Sequence, residues 1–279
     1  MKGINKFWIL FFAVLFISPQ LDAQYFGRNK PRYKKFDFEV LHAPHFEIYH
    51  YLENDSLVNH LAQQSEQWYD LHQAVLADTF DHKNPIIFYN NHADFQQTNS
   101  INGSIGVGTG GVTEAVKNRV IMPLTMSEQQ THHVLGHELV HAFQYHMILG
   151  GDSTSIRNLQ NLPLWMVEGL AEYMSIGNFD PHTAMWMRDA VLNDDVPSLK
   201  DLNNMGKYFP YRWGQAFWAF IGGTYGDQVI KPLFMTTAKL GLEVATKNVL
   251  GVELKELSEN WQKTLKDHYG KYLGDQKER

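Results

Sequence analysis

The stretch Ser127-Glu128-Gln129-Gln130-Thr131-His132-His133-Val134-Leu135-Gly136-His137-Glu138-Leu139-Val140-His141-Ala142-Phe143-Gln144-Tyr145-His146-Met147-Ile148-Leu149, closed by Gly150-Gly151, decides how the rest of the sequence is read. Val134, Leu135, Leu139, Val140, Phe143 and Met147 recur at helical spacing. Ser127 and Gln130 stand three apart, as a capping box requires, and the glycine pair supplies the stop. Inside this helix, His137-Glu138-Leu139-Val140-His141 sets two imidazoles one turn apart on the same face, where both reach one tetrahedral metal ion. Glu138 points to the neighbouring flank, outside the coordination sphere, and is placed to take a proton from a water that the metal activates. The competing account is a solvated helix face on which two of fourteen histidines fall at i and i+4. The flanking Leu135, Leu139, Val140 and Phe143 instead predict burial, where a pair of imidazoles needs a partner such as a metal.

A catalytic zinc site keeps three protein ligands and one open position, so a third ligand is required. The chain has no cysteine. The extended motif with a third histidine fails, because Gln144 and Met147 stand at its glycine and ligand positions. The candidate is Glu168, in Leu162-Pro163-Leu164-Trp165-Met166-Val167-Glu168-Gly169-Leu170-Ala171-Glu172-Tyr173. Pro163 near the start and the small Gly169 and Ala171 suit a second helix packed closely on another. Glu172 lies one turn beyond Glu168, on the same face, where it can accept the N–H of a ligating histidine and fix that ring's tautomer. An exposed acidic helix edge is the alternative. The apolar residues on both sides of Glu168 weigh against it, because an unpaired buried carboxylate is costly.

Before the central helix, residues 36–40, 45–51 and 85–89 read as strands, and residues 56–80 as a helix carrying Leu57, Leu61, Trp68, Leu71, Val75 and Leu76. Gly106-Val107-Gly108-Thr109-Gly110-Gly111 satisfies a dinucleotide-binding spacing. Extended segments at 112–114 and 118–124 follow it, where that fingerprint needs a helix, so no cofactor is expected there. The glycines are better read as a loop feeding an edge strand beside a cleft. After the central helix, residues 162–175, 182–192, 211–224, 227–239 and 253–272 are expected to be helical. The fold class is α+β: an N-terminal lobe over about 36–150 with a mixed sheet and long helices, and a mostly helical lobe over about 151–273, with zinc in the cleft between them.

A net charge of −6 with no basic stripe gives no expectation of nucleic acid as a partner. Lys2 and Lys6, the apolar run 7–17 and Leu21-Asp22-Ala23 read as a secretory signal over residues 1–23, cleaved after Ala23 to leave 24–279. An uncleaved anchor is the alternative, but the run is shorter than the about 20 residues that span a bilayer, so no stable membrane insertion is expected. Export without cysteine suits a bacterial periplasmic or surface protein.

These motifs resemble the gluzincins, zinc peptidases whose third ligand is a glutamate on a second helix, and more narrowly the bacterial peptidase MA-like domains. The resemblance rests on His137 to His141, on Trp165 to Tyr173 and, more weakly, on Tyr211-Arg212-Trp213-Gly214, covering roughly residues 110–230. It implies a zincin-like fold, one Zn2+ per chain and hydrolysis of peptide bonds in a peptide or protein substrate. In related aminopeptidases a tyrosine in a Tyr-x-x-Gly setting stabilises the oxyanion, which implies that role for Tyr211; membership of the aromatic core is the equal alternative. Those enzymes also bind the substrate's amino terminus through a strand that Gly110-Gly111-Val112-Thr113-Glu114 does not match. Endopeptidase action is therefore expected, with this segment as an edge strand for an extended peptide. Similar domains of Bacteroidetes-type bacteria begin with a lead-in like Tyr25-Phe26-Gly27-Arg28-Asn29-Lys30 and precede a β-propeller, so the chain is either a stand-alone version or part of a longer protein. Two other functions stay open: a peptidase-like binding or assembly module, and a zinc hydrolase of a non-peptide amide.

Overall fold

The computed structural model describes Lys30 and residues 32–271, so the expected signal segment lies outside the described residues. Five strands form one mixed sheet: β1 (Glu39–His42), β2 (Phe46–His50), β3 (Asn84–Tyr89), β4 (Val112–Glu114) and β5 (Arg119–Pro123), in the order β1-β2-β3-β5-β4. The inner strands β2, β3 and β5 run parallel, and β1 and β4 pair antiparallel at the two edges. Parallel strands need a long crossover. Helix α1 (Asp55–Leu76) provides it between β2 and β3, starting on the Asn54 side-chain cap and stopping at Ala77 in the left-handed conformation. A short α2 (His92–Phe95) follows β3. Ile48, Ile86, Phe88, Val120 and Met122 are fully buried in the main core.

Helix α3 (Glu128–Leu149) is the long central helix, capped by Ser127, whose side chain accepts from Gln130 N. All ten residues from Leu135 to Gln144 are buried, so this is an interior helix with no solvated face over that stretch. It lies tightly on α1: a Cβ added to Gly136 would sit 2.6 Å from the Trp68 indole, whose Nε1 donates to His132 O at 3.0 Å. His72 of α1 reaches the same point, with Nε2 2.9 Å from Gly136 O.

A 3-10 segment (Ser153–Asn161) leads to the helical half: α4 (Leu164–Ile176), α5 (Pro181–Leu192), α6 (Pro210–Tyr225), α7 (Ile230–Leu240), α8 (Leu242–Ala245) running into a π turn at Thr246–Leu250, and α9 (Leu254–Gly270). Helix α4 is held between α3 and α6. Two glycines allow the α4–α6 crossing, since a Cβ on Gly214 would lie 1.9 Å from Trp165 O and one on Gly169 would lie 2.2 Å from Gly214 Cα. Trp218 Nε1 adds a 2.9 Å hydrogen bond to Met166 O. A single main core runs from Phe46 in the sheet to Trp261 in α9. The chain is therefore mixed α+β, and among the described residues no helix is long and apolar enough to cross a membrane.

Several boundaries differ from expectation for local reasons. The strand expected over 36–40 begins only at Glu39. Phe36 instead packs its ring 4.7 Å from Tyr51 and 5.5 Å from Tyr89, so its apolar signal reports side-chain packing and not a ladder. The helix expected to reach 80 stops at Leu76, and Phe80 turns back to pack 4.4 Å from Phe143. The helix expected from 227 opens as a 3-10 turn (Asp227–Val229) before α7.

Gly214→Ala is expected to cost at least about 3 kcal/mol in urea unfolding, because the methyl group meets backbone and not a movable side chain. A pH effect follows from His72. Burial lowers its pKa from 6.5 to about 4, against a smaller upward pull from the hydrogen bond to Gly136. The folded state then binds fewer protons than the unfolded chain between these values, so stability is full above pH 6.5 and falls as pH drops toward 4. Between pH 7 and pH 4 the metal-free wild type is expected to lose about 3 kcal/mol more than His72→Gln, compared by denaturant unfolding at each pH.

Candidate metal centre

Three atoms converge in the cleft between α3 and α4. His137 Nε2 and His141 Nε2 are 3.1 Å apart, and each lies 3.3 Å from Glu168 Oε2. The i, i+4 spacing brings the two rings from α3, and the α4–α6 contact sets the height of Glu168. His137 and His141 are buried, and Glu168 is nearly so.

The outer edge of each ring fixes its tautomer. His137 Nδ1 is 3.1 Å from Glu172 Oε1, and a carboxylate only accepts, so the ring proton sits on Nδ1. His141 Nδ1 is 2.8 Å from Gln144 Oε1. Gln144 Nε2 donates to Val167 O at 3.0 Å, which obliges its Oε1 to face His141 as acceptor. Both Nε2 atoms thus turn lone pairs toward Glu168 Oε2, which is also an acceptor. Three acceptors around one point call for a cation. Bonds of about 2.0–2.1 Å in a tetrahedron place donor atoms about 3.3 Å apart, so the spacing fits a small divalent metal. Without a metal, the site answers the same demand with a proton. Burial lowers the His137 pKa, but the hydrogen bonds to Glu168 and Glu172 outweigh it and lift it to about 10. Working against burial, His137 and His141 hold Glu168 well below the usual carboxylate range, and His133 and His137 hold Glu172 down at about 2.

Glu172 is a junction. Beyond His137 it meets His133 Nε2 at 3.3 Å and Arg212 Nη1 at 3.3 Å, and Arg212 Nη1 also pairs with Asp180 Oδ2 at 3.1 Å. Glu138 lies on the flank of the motif, buried, with Oε2 accepting from Thr113 Oγ1 at 2.7 Å. Gly111 leaves it room, since a Cβ there would lie 2.9 Å from Glu138 Cγ. The loop before β4 thus closes over the base candidate, and no helix follows it. Glu114 is paired with Arg119 across the β4–β5 ladder.

Tyr211 is half-buried, unlike the buried Trp213, Phe217 and Trp218 beside it. Its ring stacks on His137 at 5.7 Å and 15°, within the field of the Glu168 carboxylate. Burial first, then the charge of Glu168, raises the phenol above its ordinary value, so it stays a donor. All six residues expected from the sequence therefore meet here: His137, Glu138, His141, Glu168, Glu172 and Tyr211. A cavity of about 560 Å3 is lined by four of them, His137, Glu138, Glu172 and Tyr211, together with Gly108, Thr109, Gly110, Gly111, Gln130, His133, Val134, Phe209 and Arg212.

Four contributors escaped the sequence reading: Thr113, His133, Gln144 and Arg212. In the sequence, Gln144 reads only as the residue that breaks the longer histidine motif. Its i+3 offset from His141 was the available signal. No protein-family model matches the chain, and no curated protein matches it.

Gln144→Met keeps the buried volume but removes both hydrogen bonds. It is expected to weaken metal binding about 10- to 100-fold in chelator competition, with the far-ultraviolet circular dichroism spectrum unchanged.

Proposed function

We propose that this chain is an exported zinc metallopeptidase of the gluzincin type, with His137, His141 and Glu168 holding one Zn2+ and Glu138 as general base. The observation that carries the proposal is the convergence of three acceptor atoms at tetrahedral spacing, beside a separately held carboxylate, with a cavity that reaches His137 and Glu138. Two imidazoles and a carboxylate are the donor set of hydrolytic zinc sites. When bound, zinc supplies a Lewis acid that polarises the scissile carbonyl and acidifies water.

The protein's own groups complete the chemistry. Glu138 takes the proton from the attacking water and returns it to the leaving amine, so the carboxylate ends as it began. Thr113 fixes one of its oxygens, which keeps the carboxylate aimed into the cleft. Tyr211, stacked on His137, lends its O–H to the oxygen on which negative charge develops. Glu172 and Gln144 hold the two imidazoles by their Nδ1 atoms. Their tautomers are thereby set before any ligand arrives.

An endopeptidase is favoured over an aminopeptidase. The carboxylate nearest the place of an amino-terminal anchor, Glu114, is already neutralised by Arg119. Among the described residues the outer edge of β4 pairs with no strand, and so offers backbone groups to an extended peptide. Export rests on the segment 1–23 of the sequence.

Dialysed protein is expected to carry one zinc per chain by mass spectrometry and to cleave unfolded protein in a chelator-sensitive way. Glu138→Gln is expected to keep the zinc and lose at least about a thousandfold in kcat. Glu168→Ala is expected to lose the zinc. Equal turnover by Glu138→Gln refutes the base, and full zinc in Glu168→Ala refutes the ligand. Zinc without chelator-sensitive cleavage favours a binding module.

A further inference from the structure

A row of rings leaves the metal centre and ends at the surface. His137 stacks on Tyr211, Tyr211 stacks on Phe209 at 5.0 Å and 24°, and Phe209 meets Trp186 of α5 at 5.9 Å and 38°. Phe209 is 44% exposed and Trp186 38%. Single exposed aromatics are ordinary on any protein, but three in sequence starting from a metal-ligand candidate form a continuous apolar path. Local structure does not account for them. Phe209 occupies the N-cap of α6, where it makes no side-chain cap hydrogen bond and where serine or aspartate would be worth about tenfold in helix stability. Trp186 is not needed for the core, to which α5 presents Met187 and Ala190.

The two cations at the inner end of the row are already committed. Arg212 is shared by Glu172 and Asp180, and His133 also faces Glu172. No cation of this group remains for an acidic side chain, and Glu138, Glu168 and Glu172 repel one. What the wall offers a ligand is apolar ring surface.

We propose that Tyr211, Phe209 and Trp186 form a subsite for an aromatic or large aliphatic side chain of the substrate, next to the group held at the metal. For its reaction this rests on the peptidase reading above; for its ligand chemistry it rests on the rings. Covering the rings with such a side chain is expected to be worth about tenfold to a hundredfold in affinity.

The test uses zinc-loaded full chain and N-acyl amino-acid hydroxamates bearing phenylalanine, leucine, lysine or aspartate side chains, titrated calorimetrically. The hydroxamate provides a common anchor on the metal, so differences report the side chain. The phenylalanine and leucine compounds are expected to bind at least about tenfold more tightly than the aspartate and lysine compounds. Phe209→Ser and Trp186→Ser, at a cap and on an exposed face, are each expected to shrink that advantage at least about threefold while zinc content and aspartate-hydroxamate affinity hold. Equal affinities, a preference for lysine or aspartate, binding by none of the four, or a preference that survives both substitutions overturns the proposal. Peptide cleavage measured in parallel separates it from the peptidase reading. The hydroxamate preference without chelator-sensitive cleavage keeps the subsite and removes the peptidase; chelator-sensitive cleavage without any side-chain preference does the reverse.

Discussion

Three acceptor atoms aimed at one point repel one another unless a positive charge lies among them, and that electrostatic demand is what the rest of this structure satisfies. His137, His141 and Glu168 are brought to spacings of 3.1–3.3 Å with their side chains largely buried. Glu138 and Glu172 add two more carboxylates nearby. In such surroundings uncompensated negative charge is expensive, and a protein either binds a cation or takes up protons. The raised His137 pKa is the second outcome, and the tetrahedral spacing is suited to the first.

The surrounding packing makes that arrangement rigid. Ten consecutive residues of α3 are buried, so the backbone that carries both histidines is held by packing on all sides but the cavity. Helix α4 is fixed relative to α3 by Gln144, whose one side chain bonds a ligand candidate and the backbone next to another. It is fixed relative to α6 by backbone contact at Gly169 and Gly214, where no side chain can act as a cushion. A displacement of α4 would therefore move Glu168 directly. The sheet contributes through β4, which reaches over α3 so that Thr113 holds Glu138.

Much of this was legible in the sequence because it is local. The i, i+4 histidines, the flanking Glu138 and the i, i+4 pair Glu168 and Glu172 all follow from helical periodicity, and the α+β class follows from the switch between strand and helix periods. What was not legible depends on distance in sequence. Thr113 meets Glu138 through the β4–α3 contact, and Arg212 meets Glu172 through the α4–α6 crossing, neither of which leaves a periodic trace. Phe36 and Phe80 show the opposite failure. Their apolar character was visible, but it served ring packing beyond the element's end, which a periodicity argument extends too far.

Asp180 has two attachments that are usually separate. Its carboxylate accepts from Thr183 N at 2.7 Å, capping α5, and pairs with Arg212, which leads through Glu172 to His137. The N-cap of α5 and the His137 ring are thereby joined by three polar contacts. The cap of α5 and the outer edge of the His137 ring thus share one unbroken run of charged groups, so the carboxylate that starts a helix also belongs to the electrostatics of the site.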